Sequence, residues 1–160
     1  MRKALVIAAG VIVLAVVIWS IAARERIVTD GKVVLLDLAP IDPRSLMQGD
    51  YMALRFAIAA PVLQAASAAG RSDGRAVVHI GSDGVGTFRR LDDGTALAPD
   101  EIALRYRLRE GQVKIATNAF FFEEGRASDY TGARYGELRV ADGDAILTRL
   151  RNAKREPMGH

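Results

Sequence analysis

The chain predicts a mainly β fold: an N-terminal single transmembrane helix followed by a small antiparallel β-barrel or two-layer β-sandwich with one short helix. Three observations lead there. An apolar run lies near the N-terminus, apolar and polar residues alternate with period two beyond it, and acid-glycine pairs punctuate the alternation. At 160 residues the chain has room for one folded domain.

The first element is the run ALVIAAGVIVLAVVIWSIAA over residues 4–23, interrupted only by Gly10 and Ser20. As a helix it matches roughly 30 Å of hydrocarbon, and it is apolar all round rather than along one stripe. Trp19 sits near one end, where indole favours the interface. The rival reading is a cleaved secretory signal, with Arg2 and Lys3 as the basic start and Ser20-Ile21-Ala22 or Ile21-Ala22-Ala23 as the small-residue site. The run exceeds the usual apolar region of about 7–15 residues in such signals, which favours a retained anchor. With so short a stub before it, the simple topology has the N-terminus cytoplasmic and the remainder outside, although Arg24, Arg26 and Lys32 blunt the charge contrast. The expected boundaries are residues 1–23 for stub and anchor, 24–31 for a polar connector, 32–151 for the β-rich body and 152–160 for a frayed tail. The partner of residues 4–23 is then the lipid bilayer.

Charge and composition narrow the function. The chain carries net +3, but Arg2 and Lys3 precede the body, so from residue 24 onward the balance is only +1. Its arginines are interleaved with acids, so nucleic-acid binding is not expected. There are no cysteines, which removes disulfides and thiolate chemistry, and nothing calls for a cofactor. No metal is expected either. His79 and His160 have no ligand spacing, and Asp92-Asp93-Gly94 with Asp100-Glu101 lacks the order of a calcium loop and fits a turn.

In the body, strands are expected at 32–38, 75–80, 85–91, 112–122, 135–140 and 145–150. Two more alternate sharply. In YMALRFAI, Met52, Leu54, Phe56 and Ile58 share one face against Tyr51, Ala53, Arg55 and Ala57. In IALRYRLR, Ile102, Leu104, Tyr106 and Leu108 oppose Ala103, Arg105, Arg107 and Arg109. That arginine row reads as a solvated sheet face, with a patch for an anionic ligand or lipid headgroup as its rival. Ser82-Asp83-Gly84, Asp92-Asp93-Gly94 and Asp142-Gly143 supply hairpin corners, so pairing should be antiparallel. The one clear helix is PVLQAASAA at 61–69, with Pro61 at a starting position and Gly70 as stop, packing on the rim.

The densest signal is LDLAPIDPRSLMQGDYMALRF over residues 36–56. Pro43 pre-sets a turn beside Asp42, and Gly49-Asp50 makes a second corner feeding a strand. Arg44, between Asp42 and Asp50, can lock the loop by charge-assisted hydrogen bonds, or Arg44, Ser45 and Asp50 can line a site. Gly49-Asp50-Tyr51-Met52-Ala53-Leu54-Arg55-Phe56 resembles the motif of the bacterial GDYxxLxY family, with Phe56 in place of the last tyrosine. Asp42-Pro43-Arg44-Ser45-Leu46 and Phe121-Phe122-Glu123-Glu124-Gly125-Arg126 also resemble that family's segments. The resemblance implies an uncharacterised protein anchored in the bacterial cytoplasmic membrane, single-pass with a periplasmic domain, associated with multi-span membrane proteins.

The segment Phe120-Phe121-Phe122-Glu123-Glu124-Gly125-Arg126 breaks alternation, so either both sheet faces are covered there, by the short helix or residues 125–134, or an aromatic is exposed for docking a membrane partner. Glu123 and Glu124 point to opposite faces and cannot flank one bond. One of them is expected to pair with Arg126, Arg134 or Arg44. The expected function is an extracytoplasmic accessory module using residues 42–51 and 120–126. The alternative is a hydrolase, either carboxylate-based through Asp50 and Glu124 or peptidase-like through Ser45. SLMQGDYMAL is similar to the serine region of bacterial signal peptidases, with a shorter spacing; that chemistry needs a desolvated lysine, for which Lys32 and Lys114 are the strand-region candidates.

Overall fold

The computed structural model describes residues 2–39 and 51–159, without the side chains of residues 2, 4, 5 and 8. Helix α1 (Arg2–Asp30) is continuous. The connector expected over 24–31 is therefore helical almost to its end. Arg24, Glu25 and Arg26 are good helix formers, and the Thr29 hydroxyl donates to the Glu25 carbonyl at 2.7 Å.

Gly31 ends the helix. Its N–H donates to the Ile27 carbonyl at 3.0 Å. A Cβ there would stand 2.2 Å from that same oxygen and 3.0 Å from the Val140 nitrogen, so the chain can leave the helix this close to the sheet only as glycine. Arg139 donates to the carbonyls of Thr29 and Gly31, each at 3.3 Å, which places a cation at the negative end of the helix dipole.

The shaft of α1 carries apolar side chains in the open on every side, from 46% exposed at Val17 to 74% at Trp19. Among the described residues no helix is long and apolar enough to cross a membrane. The expected transmembrane span is therefore not recovered from the fold.

The body is mainly β, as expected. Strands β1 (Lys32–Asp37), β8 (Tyr135–Ala141) and β9 (Asp144–Arg151) form one sheet in the order β1-β8-β9. Strands β3 (Asp73–Ile80), β4 (Gly86–Leu91), β5 (Glu101–Arg109) and β6 (Gln112–Ile115) form a second in the order β4-β3-β5-β6. A two-stranded ribbon pairs β2 (Tyr51–Ala53) with β7 (Ala119–Phe121). All these pairs are antiparallel. The sheets are joined into a curled half-barrel by a Leu35–Val85 bridge, a Leu38–Phe56 bridge and the Arg105 N–H bound to the Gly143 carbonyl at 2.8 Å.

Several expected boundaries shift. Residues 51–58 were expected to make one strand, but β2 ends at Ala53 and the chain beyond it passes to the end of β1, where Phe56 bridges Leu38 and the Ala57 N–H donates to the Asp37 carbonyl at 2.8 Å; burial still alternates, with Met52, Leu54, Phe56 and Ile58 all buried. The strand expected over 112–122 splits into β6 and β7, because Ala116 turns into positive φ at 54° between them. The corner at Asp92-Asp93-Gly94 is no hairpin. It opens the connection from β4 to β5, which lie on either side of β3. Asp142 and Gly143, at φ 54° and 88°, do form the tight β8–β9 hairpin.

Helix α2 (Ala59–Ala68) begins two residues earlier than expected and is followed by Gly70 at φ 63°. Its buried Val62 and Ala66 join a core that runs through Val34, Leu36, Leu104, Tyr106, Leu138 and Leu150. The tail expected to fray instead folds back on β9. Arg151 bridges to Pro157, the Met158 N–H donates to the Leu150 carbonyl at 2.9 Å, and Arg155 pairs with Asp83 at 2.9 Å.

Candidate functional site

Of the motif residues, Asp42, Pro43, Arg44, Ser45, Gly49 and Asp50 lie outside the described residues. The remainder separates by strand alternation. Tyr51 points outward from β2, whereas Leu54 and Phe56 are buried in the core. Phe56 packs against Gly136 of β8: a Cβ at Gly136 would stand 2.8 Å from its Cε1. The ring, rather than a phenol oxygen, fills that place.

The β2–β7 register brings the two expected segments together. Tyr51 lies opposite Phe121 and Met52 opposite Phe120. The rings of Tyr51 and Phe121 are 5.9 Å apart and inclined by 42°, a tilted aromatic pair. Phe121 is 72% exposed and Tyr51 37%.

The neighbours of Phe121 are covered. Tyr130, at the end of the 3-10 turn Ala127–Tyr130, meets Phe120 edge-on at 5.1 Å and stacks on Phe122 at 5.4 Å. Each of the two outcomes expected for this segment thus applies to part of it. Residues 125–134 cover two of the rings, and the third stands in solvent.

The acids beyond it, Glu123 and Glu124, lie past the end of β7. Glu123 is exposed and only brushes Arg126 at 4.0 Å. Arg126 instead binds Asp129 through Nε at 2.6 Å, a hydrogen bond that holds its guanidinium above the usual arginine range. Glu124 is exposed and makes no ion pair among the described residues. Gly125, at φ 80°, turns the chain between them. Arg134 pairs with Asp37 at 3.4 Å, not with either glutamate.

Other candidates have ordinary surroundings. Lys32 and Lys114 are both exposed, and Lys32 donates to the Pro99 carbonyl at 3.0 Å. Neither has the burial that a serine-activating lysine needs. His79 pairs with Asp100 at 2.9 Å. Asp93 accepts from the Thr95 hydroxyl at 2.7 Å and its N–H at 3.1 Å, and these bonds hold its carboxyl below the usual range. No group of three metal-ligating side chains occurs among the described residues.

Two concavities complete the surface. A 270 Å³ cavity lies beneath Leu54, Phe56, Leu63 and Ile115 and reaches Ala39. A larger cleft of 830 Å³ lies between α1 and the outer face of β5 and β6, and the arginine row lines it. The sequence announced that row but not its setting. Its three arginines are exposed, as a solvated face requires, while α1 runs on past residue 23 and forms the other side of the cleft.

No curated protein and no solved structure matches the chain. A family model described as GDYXXLXY protein matches residues 13–150, and with the motif strand Tyr51–Ala53 and its aromatic partner in place the chain belongs to the GDYXXLXY family.

Proposed function

We propose that this protein is a membrane-tethered accessory domain, held by α1 in the bacterial cytoplasmic membrane with its N-terminus cytoplasmic and its half-barrel in the periplasm, where it docks an integral membrane partner. The observation that carries this reading is the α1 shaft. A helix with apolar side chains open to solvent on every face from Val11 to Ile18 is stable only when something apolar surrounds it, and the sequence run over residues 4–23 has the length of a bilayer core. The half-barrel does not cover those side chains. Gly31 and Arg139 fasten the helix to the sheet, so a lipid-held shaft would orient the body at the membrane surface. The exposed Tyr51–Phe121 pair then supplies a rigid aromatic anchor of the sort that fills a partner's pocket.

The hydrolase reading gains no support from the described residues, whose lysines are exposed and whose buried carboxylate, Glu137, is paired with arginines. The test is made in membranes. Alkaline carbonate should leave the full chain in the pellet, and protease added to spheroplasts should digest the half-barrel. A photo-crosslinking residue at position 121 should trap a second, multi-span protein. Release by carbonate, protection of the body in spheroplasts, or recovery of the uncrosslinked chain alone would each refute the part of the reading it measures.

A further inference from the structure

The cleft between α1 and the outer sheet face has a composition that a solvated surface does not need. Arg24 comes from the helix, Arg105, Arg107 and Arg109 from β5, and Lys114 from β6, with Trp19 at its edge. Period-two alternation puts the three β5 arginines on one face, and the β5–β6 register sets Lys114 beside Arg107. Against these five cations stands one acid of the lining, Asp144, and it is already bound to Arg105 at 3.1 Å. Arg109 donates to its neighbour's carbonyl, that of Leu108, at 3.2 Å. Arg24, Arg107 and Lys114 have no ion pair among the described residues. Four like charges converging on one concavity repel one another unless an anion joins them.

Apolar side chains share the lining, Ala23 and Ile27 of the helix and Ile146 of β9. An amphiphile with an anionic head matches both kinds of side chain, whereas a free anion would use only the basic ones. Trp19 and Arg24 are the residues at which the apolar run gives way to charge, the depth at which lipid phosphates lie.

We propose that this cleft binds the phosphate headgroup of an anionic phospholipid, with Arg107, Arg109 and Lys114 as its ligands and the α1 wall against its acyl and glycerol portion. The proposal rests on the reading that α1 is retained in lipid. It fixes how the half-barrel sits on the membrane surface, since the lipid bridges helix and sheet.

Trp19 is the chain's one tryptophan and lines the cleft, so its emission reports occupancy. The full chain in dodecylmaltoside micelles is titrated with dioctanoyl phosphatidylglycerol, with dioctanoyl phosphatidylcholine and with inorganic phosphate. The expected result is a saturable shift with phosphatidylglycerol only. Arg107→Gln/Arg109→Gln/Lys114→Gln should weaken it at least tenfold. Arg55→Gln/Arg89→Gln/Lys154→Gln, with the same loss of charge away from the cleft, should leave it within twofold. Should the first triple variant misfold by circular dichroism, Lys114→Gln alone should still weaken binding at least twofold.

Equal responses to the two lipids, equal affinity in the cleft and control variants, or displacement by phosphate at matched concentration would overturn the proposal; the last would identify a free-anion site. The assay in micelles does not depend on retention in cells, which carbonate extraction reads, so failure of the cleft and failure of the anchor are told apart.

Discussion

Tyr51 and Phe121 face one another across the β2–β7 ribbon with their rings 5.9 Å apart, and it is the C-terminal aromatic, not the motif tyrosine, that stands furthest into solvent. The ribbon therefore separates display from support. Phe121→Ser should change stability by no more than about 0.5 kcal/mol, because little of the ring is buried. It should nevertheless abolish co-purification of a membrane partner. Phe120→Ala, which removes the ring packed against Tyr130, should cost about 3 kcal/mol by thermal or urea unfolding. Equal destabilisation by the two changes would mean that Phe121 is a packing residue.

Gly136 sets a limit that the motif itself does not reveal. With the Cβ of an alanine 2.8 Å from Phe56 and 3.0 Å from Leu147, Gly136→Ala should cost about 1–3 kcal/mol through overpacking. Phe56→Leu in the same chain should recover part of that loss. A double-mutant cycle measured by urea unfolding should give a coupling of at least about 0.5 kcal/mol, since the two groups touch. Strict additivity would show that the clash is relieved elsewhere, through Leu147.

The parts of this fold that the sequence made legible are those in which alternation and hydrogen bonding coincide. β1, β3, β5, β8 and β9 each pair along most of their length, so apolar period and strand bounds agree to within two residues. Residues 54–58 kept the period but changed partner, from β7 to the end of β1, and alternation alone cannot show that. The break at Ala116 was hidden because no glycine marks its positive φ. The tail looked frayed because it is polar, yet Asn152 uses its side-chain oxygen to hold the N–H groups of Lys154 and Glu156 at 2.8 and 3.0 Å. At the candidate site the aromatic residues could be named, but not their union. β2 and β7 lie more than sixty residues apart in the chain, and no local pattern encodes which edge a three-residue strand will join.

Among the described residues Glu137 is the buried charge of the half-barrel, 4% exposed on β8. Arg151 binds one of its oxygens through both Nε and Nη2, while the Thr148 hydroxyl at 3.2 Å and Arg149 at 3.4 Å reach the other. Arg151 also donates to the Arg155 carbonyl, which ties the folded-back tail to the same pair. Removing one partner leaves the carboxylate desolvated and short of donors. Arg151→Leu should therefore cost about 3 kcal/mol and expose the tail to carboxypeptidase, whereas Arg149→Leu, at the more exposed and longer contact, should cost less than about 1 kcal/mol. Similar losses from the two would place the stabilisation in the general positive field instead of in the Arg151 fork.

Tyr106 offers a prediction of the opposite sign. Its ring is fully buried beside Gly74, 3.3 Å from where a Cβ would stand, and its hydroxyl finds no hydrogen-bond partner among the described residues. Burial pushes its ionisation up from the ordinary value of 10.0, because the phenolate would lose its water. With the folded value above the unfolded one, the folded state keeps this proton where the unfolded state gives it up. The associated stability is complete below about pH 10 and declines as pH rises from there toward the folded value. Tyr106→Phe removes both the unpaired hydroxyl and the titration. It should leave stability at neutral pH unchanged or raised by about 1 kcal/mol, and it should flatten the fall in urea midpoint between pH 9.5 and pH 11, chosen to bracket about pH 10. A clear loss of stability at neutral pH would mean that the hydroxyl is bonded after all.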